Sequence, residues 1–149
     1  SAKQKKSGPR FVYSHLTRPH HPYFVDRNGQ AFNHPDSLKG LKRLKKEYTE
    51  YLQFANNKLL QLIDHIQQNA ASPPVILLSS DHGFRQFYGA SDRKYDFMNF
   101  GAIYLPNRKY EGFYDGITTV NIFRAILNSQ FSQQLPLLKD SISYIAIHK

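Results

Sequence analysis

An aspartate and a histidine stand side by side at positions 81 and 82, directly behind the run "VILLSS" (75–80). One carboxylate oxygen and one imidazole nitrogen suit zinc or manganese once other parts of the chain complete the shell. The same two residues equally suit a turn in which Asp81 caps the backbone and His82 bonds to it. Gly83 is expected on either reading, because a sharp exit from a strand often calls for positive φ. A second constellation is "PHHPYF" (19–24), where Pro19 and Pro22 stiffen the loop that carries His20 and His21. Such a loop presents imidazoles to a metal or an anionic oxygen at little entropic cost, although histidines in a loop can also be incidental. Arg85 can bind a phosphate or sulfate through two parallel hydrogen bonds, or lie on the surface. His15 is expected to be a satisfied, partly buried residue, and His34, His65 and His148 to be structural or solvent-facing. Tyr48, Tyr88, Tyr95, Tyr104, Tyr110 and Tyr114 are expected as core or rim aromatics.

Composition narrows the chemistry. With no cysteine in 149 residues, disulfides, thiolate ligands and thiol nucleophiles are excluded, so any metal must be held by nitrogen and oxygen. The length suffices for one sizeable core and is short for two ordinary domains. No apolar run approaches the roughly 18 residues of a membrane-spanning helix. The net charge of +9 gathers near the start (Lys3, Lys5, Lys6, Arg10) and in "KGLKRLKK" (Lys39, Lys42, Arg43, Lys45, Lys46). Phosphorylated or sulfated substrates, anionic head groups and nucleic acid would all be attracted there. The plainer reading is a solvated helix face and a polar lead-in. Aromatic residues do not interleave with the basic cluster as base-stacking platforms would, which argues against nucleic acid.

These side chains need elements to position them. "RFVYSHL" (10–16) reads as a short strand, followed by a proline-rich loop with an Asn28-Gly29 turn. From Leu41 to Ile66 the apolar residues Leu41, Leu44, Tyr48, Leu52, Ala55, Leu59, Leu62, Ile63 and Ile66 recur at steps of three and four, which predicts a long amphipathic helix ended by Asn69 and Pro73-Pro74. "VILLSS" then suits a parallel strand covered on both faces. Residues 83–99 form a long connection, "FGAIYLP" (100–106) a strand, and Thr118 or Thr119 opens a helix bearing Val120, Ile122, Phe123, Ile126, Leu127 and Phe131. "SYIAI" (143–147) closes as a short strand. The order predicts an α/β fold, a mostly parallel sheet flanked by helices, with both histidine-bearing segments at the carboxyl ends of strands, where ligands gather.

Four segments in order carry a family resemblance. "VILLSSDHG" resembles the metal-binding strand end of the alkaline phosphatase and sulfatase superfamily. "FVYSHLTRPHHPYFVDRNG" is similar to the His and Pro-His-x-Pro-aromatic segment of its membrane-anchored, sulfatase-like bacterial members. "NFGAIYLP" and "TTVNIFRAILNSQFSQQLPLLKDSISY" resemble the C-terminal strand and the VN-x-FR-x-x-LN helix of that group, so the likeness spans about residues 10 to 145.

The resemblance implies a partial alkaline phosphatase-like sandwich from a metal-dependent hydrolase or phosphotransferase acting on phosphate or sulfate esters. By that likeness Asp81 and His82 are metal ligands, and His20 helps hold substrate or metal. Arg85 is the candidate partner of the ester anion. The metal is zinc or manganese by virtue of the imidazole donor, with calcium possible. The family's nucleophile and first acidic ligand lie in an N-terminal half that has no counterpart in this sequence, and Ser79 and Ser80 stand too early to replace it. Residues 10–149 are therefore expected to be the C-terminal part of such a catalytic domain, preceded by a polar lead-in over 1–9, and to be inactive alone. The expected partners are the N-terminal remainder of the parent chain and the ester substrate. A parent anchored by upstream helices would work at the extracytoplasmic face of a bacterial membrane. The rival expectation is a non-catalytic basic module that binds an anionic membrane surface or polymer.

Overall fold

The computed structural model describes residues 8–32, 40–85 and 93–143. The lead-in through residue 7, His34, Lys39, Tyr88, His148 and all but the first residue of the strand expected over 143–147 lie outside them. Five elements follow in order: α1 (Gly40–Asn69), β1 (Ile76–Ser79), a 3-10 helix (Arg93–Phe97), β2 (Gly101–Tyr104) and α2 (Thr119–Phe131). The chain divides into two compact units, residues 1–64 and 65–149, with the boundary inside α1.

In the first unit the proline loop lies against α1 through aromatic side chains. Tyr23 and Tyr51 are buried, their ring centroids 5.9 Å apart, and Phe54 stacks on Tyr51 at 6.4 Å. The Arg18 guanidinium sits 5.4 Å from the Phe54 centroid, a cation over a ring face. Burial pushes the Tyr23 hydroxyl up to about 12, helped by the neighbouring Tyr48 and Glu47. The covered face of α1 therefore centres on Glu47 and Tyr51, while Leu41, Leu62 and Ile66 of the expected apolar stripe are exposed. Periodicity reports that a helix has an apolar side; what is laid against it decides which residues lose their water.

The Asn28-Gly29 turn forms as expected. Gly29 has φ +83°, the Asp26 carboxylate accepts the amides of Asn28 and Gln30 at 2.8 and 3.0 Å, and Val25 bridges Ala31. Beside it Arg27 clasps Glu50 through Nε at 2.7 Å and Nη2 at 2.5 Å. That guanidinium holds the Glu50 carboxyl down to about 2. "RFVYSHL" forms no strand: Phe11, Val12, Tyr13 and Leu16 are exposed and the segment joins no ladder. Strand propensity supplies no partner, and a ladder requires one. His15 is likewise exposed, its Nδ1 3.2 Å from the Tyr13 hydroxyl.

The second unit corrects the expected fold class. β1 and β2 pair antiparallel as a two-stranded sheet, with Ile76 opposite Tyr104 and Ser79 opposite Gly101. A parallel neighbour demands a crossover, usually through a helix. Between these strands lies only one short 3-10 helix among the described residues. β1 is half-buried, not covered on both faces. Its continuous apolar run is compatible with either pairing, so the run alone does not set direction.

α2 starts after Thr118, but the Thr118 hydroxyl does not cap it. That hydroxyl donates to the Asp140 carboxylate at 2.6 Å, and the Thr118 amide donates to the same oxygen at 2.9 Å. Leu105, Ile122, Ala125 and Ile126 form the buried apolar centre, with Asn121 fully buried among them. The Asn121 side chain pairs with Leu138, donating to its carbonyl at 2.8 Å and accepting its amide at 2.9 Å. Asn128, two turns on, repeats the arrangement with Leu135 at 2.9 and 2.8 Å. Arg124 donates to the Pro136 carbonyl at 2.9 Å. The polar positions of "VN-x-FR-x-x-LN" thus bind the extended segment 135–138 as a neighbouring strand would.

Candidate functional site

β1 ends where its backbone stops pairing in the regular way. One step beyond the Ser79–Gly101 pair, the Ser80 amide still donates to the Phe100 carbonyl at 2.9 Å. The return bond goes elsewhere: the Phe100 amide donates to the Ser80 hydroxyl at 2.7 Å instead of to its carbonyl. The freed Ser80 carbonyl and the Asp81 carbonyl both accept from the Asn99 side-chain amide, each at 3.2 Å. The chain thereby turns out of the sheet with its carbonyls satisfied, as a partly buried turn requires.

Gly83 completes this turn, and the reason differs from the expected one. Its φ is not positive. A Cβ there would lie 1.9 Å from the Tyr95 carbonyl oxygen and 3.0 Å from that of Met98. The Gly83 amide donates to the Asp96 carbonyl at 3.0 Å. Close approach of two backbones is what demands glycine here.

Asp81 and His82 project from this turn. Asp81 Oδ1 accepts the His82 amide at 3.0 Å, and His82 Nδ1 lies 2.6 Å from the Gly83 carbonyl oxygen. Those are the backbone bonds of a structural turn. They leave His82 Nε2 and Asp81 Oδ2 facing each other across 3.6 Å, with the Asp81 side chain 84% exposed and that of His82 30%. Two donors each about 2.1 Å from one tetrahedral zinc ion sit roughly 3.4 Å apart. The separation of the two atoms is thus close to that of two ligands on one divalent cation. Among the described residues no third histidine or carboxylate joins them.

The other candidates lie on other parts of the chain or further along the same connection. Arg85 is exposed, three residues beyond His82 on the same connection. His20 belongs to the first unit, where its Nδ1 lies 2.5 Å from the His21 carbonyl oxygen, and His21 packs edge-on to Tyr23 at 5.3 Å. On α1, Lys42, Lys45, Lys46, Thr49 and Glu50 line a surface depression of about 350 Å³. Its one carboxylate, Glu50, is already claimed by Arg27, and Arg43 nearby pairs with Glu47 at 2.6 Å.

Sequence reasoning missed Asn99. Its only signal was a side-chain amide immediately before the strand "FGAIY", and a lone asparagine there resembles any loop residue. Comparison with protein-family models, with curated proteins and with solved structures gave no match. Among the described residues no helix is long and apolar enough to cross a membrane.

Proposed function

We propose that Asp81 and His82 are two ligands of a divalent cation in an enzyme that cleaves or transfers phosphate or sulfate esters, with Arg85 turned to the ester anion. The observation that supports this reading is the pair of donor atoms, imidazole Nε2 and carboxylate Oδ2, held 3.6 Å apart at the end of a strand. The resemblance to alkaline phosphatases and sulfatases supplies the reaction class. The imidazole favours zinc or manganese; calcium, which prefers oxygen, is the weaker candidate. When bound, such a cation neutralises charge on the ester oxygens and lowers the pKa of an oxygen nucleophile. The residues of this chain bind and orient: Asp81 contributes charge, His82 a neutral nitrogen, and Arg85 a planar pair of donors for two ester oxygens.

Two donors are fewer than a zinc shell needs, so the chain by itself binds zinc more weakly than about 1 µM and does not cleave esters. Calorimetric titration tests this. Weak binding that disappears in both Asp81→Asn and His82→Ala is expected. Binding that is indifferent to both substitutions would sink the metal reading, and ester cleavage above the metal-only rate would sink the expectation of inactivity.

A second reading rests on a different observation, the lysine-lined depression on α1 whose carboxylate is neutralised by Arg27. There the chain would dock on an anionic membrane surface. Vesicle co-sedimentation separates the two: replacing Lys42, Arg43, Lys45 and Lys46 together abolishes such docking, and Asp81→Asn leaves it intact.

A further inference from the structure

We infer that Asn99 is the positioning residue of the Asp81–His82 pair, and that the turn it holds keeps His82 in a single tautomer, protonated at Nδ1, with Nε2 as its donor nitrogen. The inference rests on the metal reading for its purpose, though not for its geometry. A carbonyl oxygen accepts and never donates, so the 2.6 Å contact between His82 Nδ1 and the Gly83 carbonyl places the proton on Nδ1. A neutral imidazole carries one such proton. Nε2 is therefore left with a bare lone pair, on the side where Asp81 Oδ2 stands 3.6 Å away. Metal-binding histidines are commonly oriented in this way, by a hydrogen bond from the ring nitrogen that does not bind.

The Gly83 carbonyl can do this only if the turn is held. Among the described residues, the contacts that hold it include the Ser80 hydroxyl under the Phe100 amide at 2.7 Å, the Gly83 amide on the Asp96 carbonyl at 3.0 Å, and Asn99. Among the described residues Asn99 donates to both carbonyls that flank the turn's start, Ser80 and Asp81, each at 3.2 Å. An amide nitrogen has two hydrogens for those two oxygens. An aspartate of the same shape would set an acceptor against two acceptors. Serine would keep one donor, and alanine none.

Nitrogen-15 spectra of the histidine rings decide the matter in the metal-free chain at about pH 8.5, where an ordinary imidazole is neutral. The His82 signals are assigned by their loss in His82→Ala. A protonated Nδ1 and a bare Nε2 are expected in the wild type. In Asn99→Ala and Asn99→Asp the two tautomers should mix and zinc affinity fall about tenfold, with Asn99→Ser in between. The amide signals of Asn121 and Leu138 report whether each variant remains folded, and the serine variant keeps the test open should the other two unfold. A wild-type His82 protonated at Nε2 overturns the inference, even where zinc binding needs Asp81 and His82. Unchanged tautomer and affinity in all three Asn99 variants overturns it as well. Zinc binding indifferent to Asp81→Asn and His82→Ala strikes the metal reading instead, whatever the tautomer.

Discussion

Two aspartates of the second unit, Asp81 and Asp140, both sit beside an asparagine that organises the backbone, and they are used in opposite ways. Asp140 is saturated. One of its oxygens accepts from the Thr118 amide, the Thr118 hydroxyl and Asn121 Nδ2, at 2.9, 2.6 and 3.0 Å, and the other accepts from the Tyr114 hydroxyl. The Thr118 hydroxyl, then that of Tyr114, hold the Asp140 carboxyl down to about 2, and the same charge raises the Tyr114 hydroxyl. Asp81 spends one oxygen on the adjacent His82 amide and leaves the other beside an imidazole nitrogen in solvent. A carboxylate whose acceptor sites are filled by its own fold has nothing left for a ligand. One with an acceptor oxygen to spare is available for chemistry.

Substitutions that remove one member at a time sharpen this contrast. The largest effect is expected at Asn121→Ala, which truncates a fully buried side chain and strips the part-buried Leu138 amide and carbonyl of their partners. A loss of roughly 3 kcal/mol should appear as a lower urea midpoint. Asp140→Asn should act mainly through pH. The carboxyl at about 2 in the folded chain lies below its ordinary 3.8. The unfolded chain therefore takes up the proton first, and the stabilisation is whole above about pH 4 and lost as pH falls toward about 2. Glu50, down to about 2 from 4.5, contributes a second loss of the same sign. Asp140→Asn should flatten the acid slope of stability and leave the Glu50 part, which Glu50→Gln then removes; an unaltered slope in Asp140→Asn would contradict the saturated node. Asp81→Asn should be the mildest, within about 0.5 kcal/mol at neutral pH, as for an exposed residue with one local bond. A loss comparable to that of Asn121→Ala would erase the distinction between the two aspartates.

Much of the local structure was legible. The three-and-four spacing of Leu41 to Ile66 located α1, and the helix ends at Asn69 as expected. The Thr118-Thr119 pair marked the start of α2, and Asn28-Gly29 marked a turn that is present. The strand after residue 100 was found within a residue or two. The errors have a common origin. "RFVYSHL" has strand composition and no ladder, and "VILLSS" has the apolar run of a parallel strand and an antiparallel neighbour. The leucine stripe of α1 is partly exposed because loop aromatics meet Tyr51 and Phe54 instead. In the candidate site, residue chemistry singled out Asp81 and His82, and nothing in the string marked Asn99 as the residue beneath them.

Residue order alone therefore determined where the backbone coils, turns and stops, because those outcomes depend on torsional preferences and side chains a few positions apart. It also determined that a carboxylate, an imidazole and a glycine would leave β1 together. Only the tertiary structure decided strand direction, which face of α1 is covered, and why Gly83 must lack a side chain. It also decided that Asn121, Arg124 and Asn128 bind backbone while Asp81 Oδ2, among the described residues, meets only the His82 imidazole. Most of those are settled by atoms brought close from far along the chain, as with Ile76 opposite Tyr104 or Tyr23 against Tyr51, and the identity of such partners is written in no local pattern.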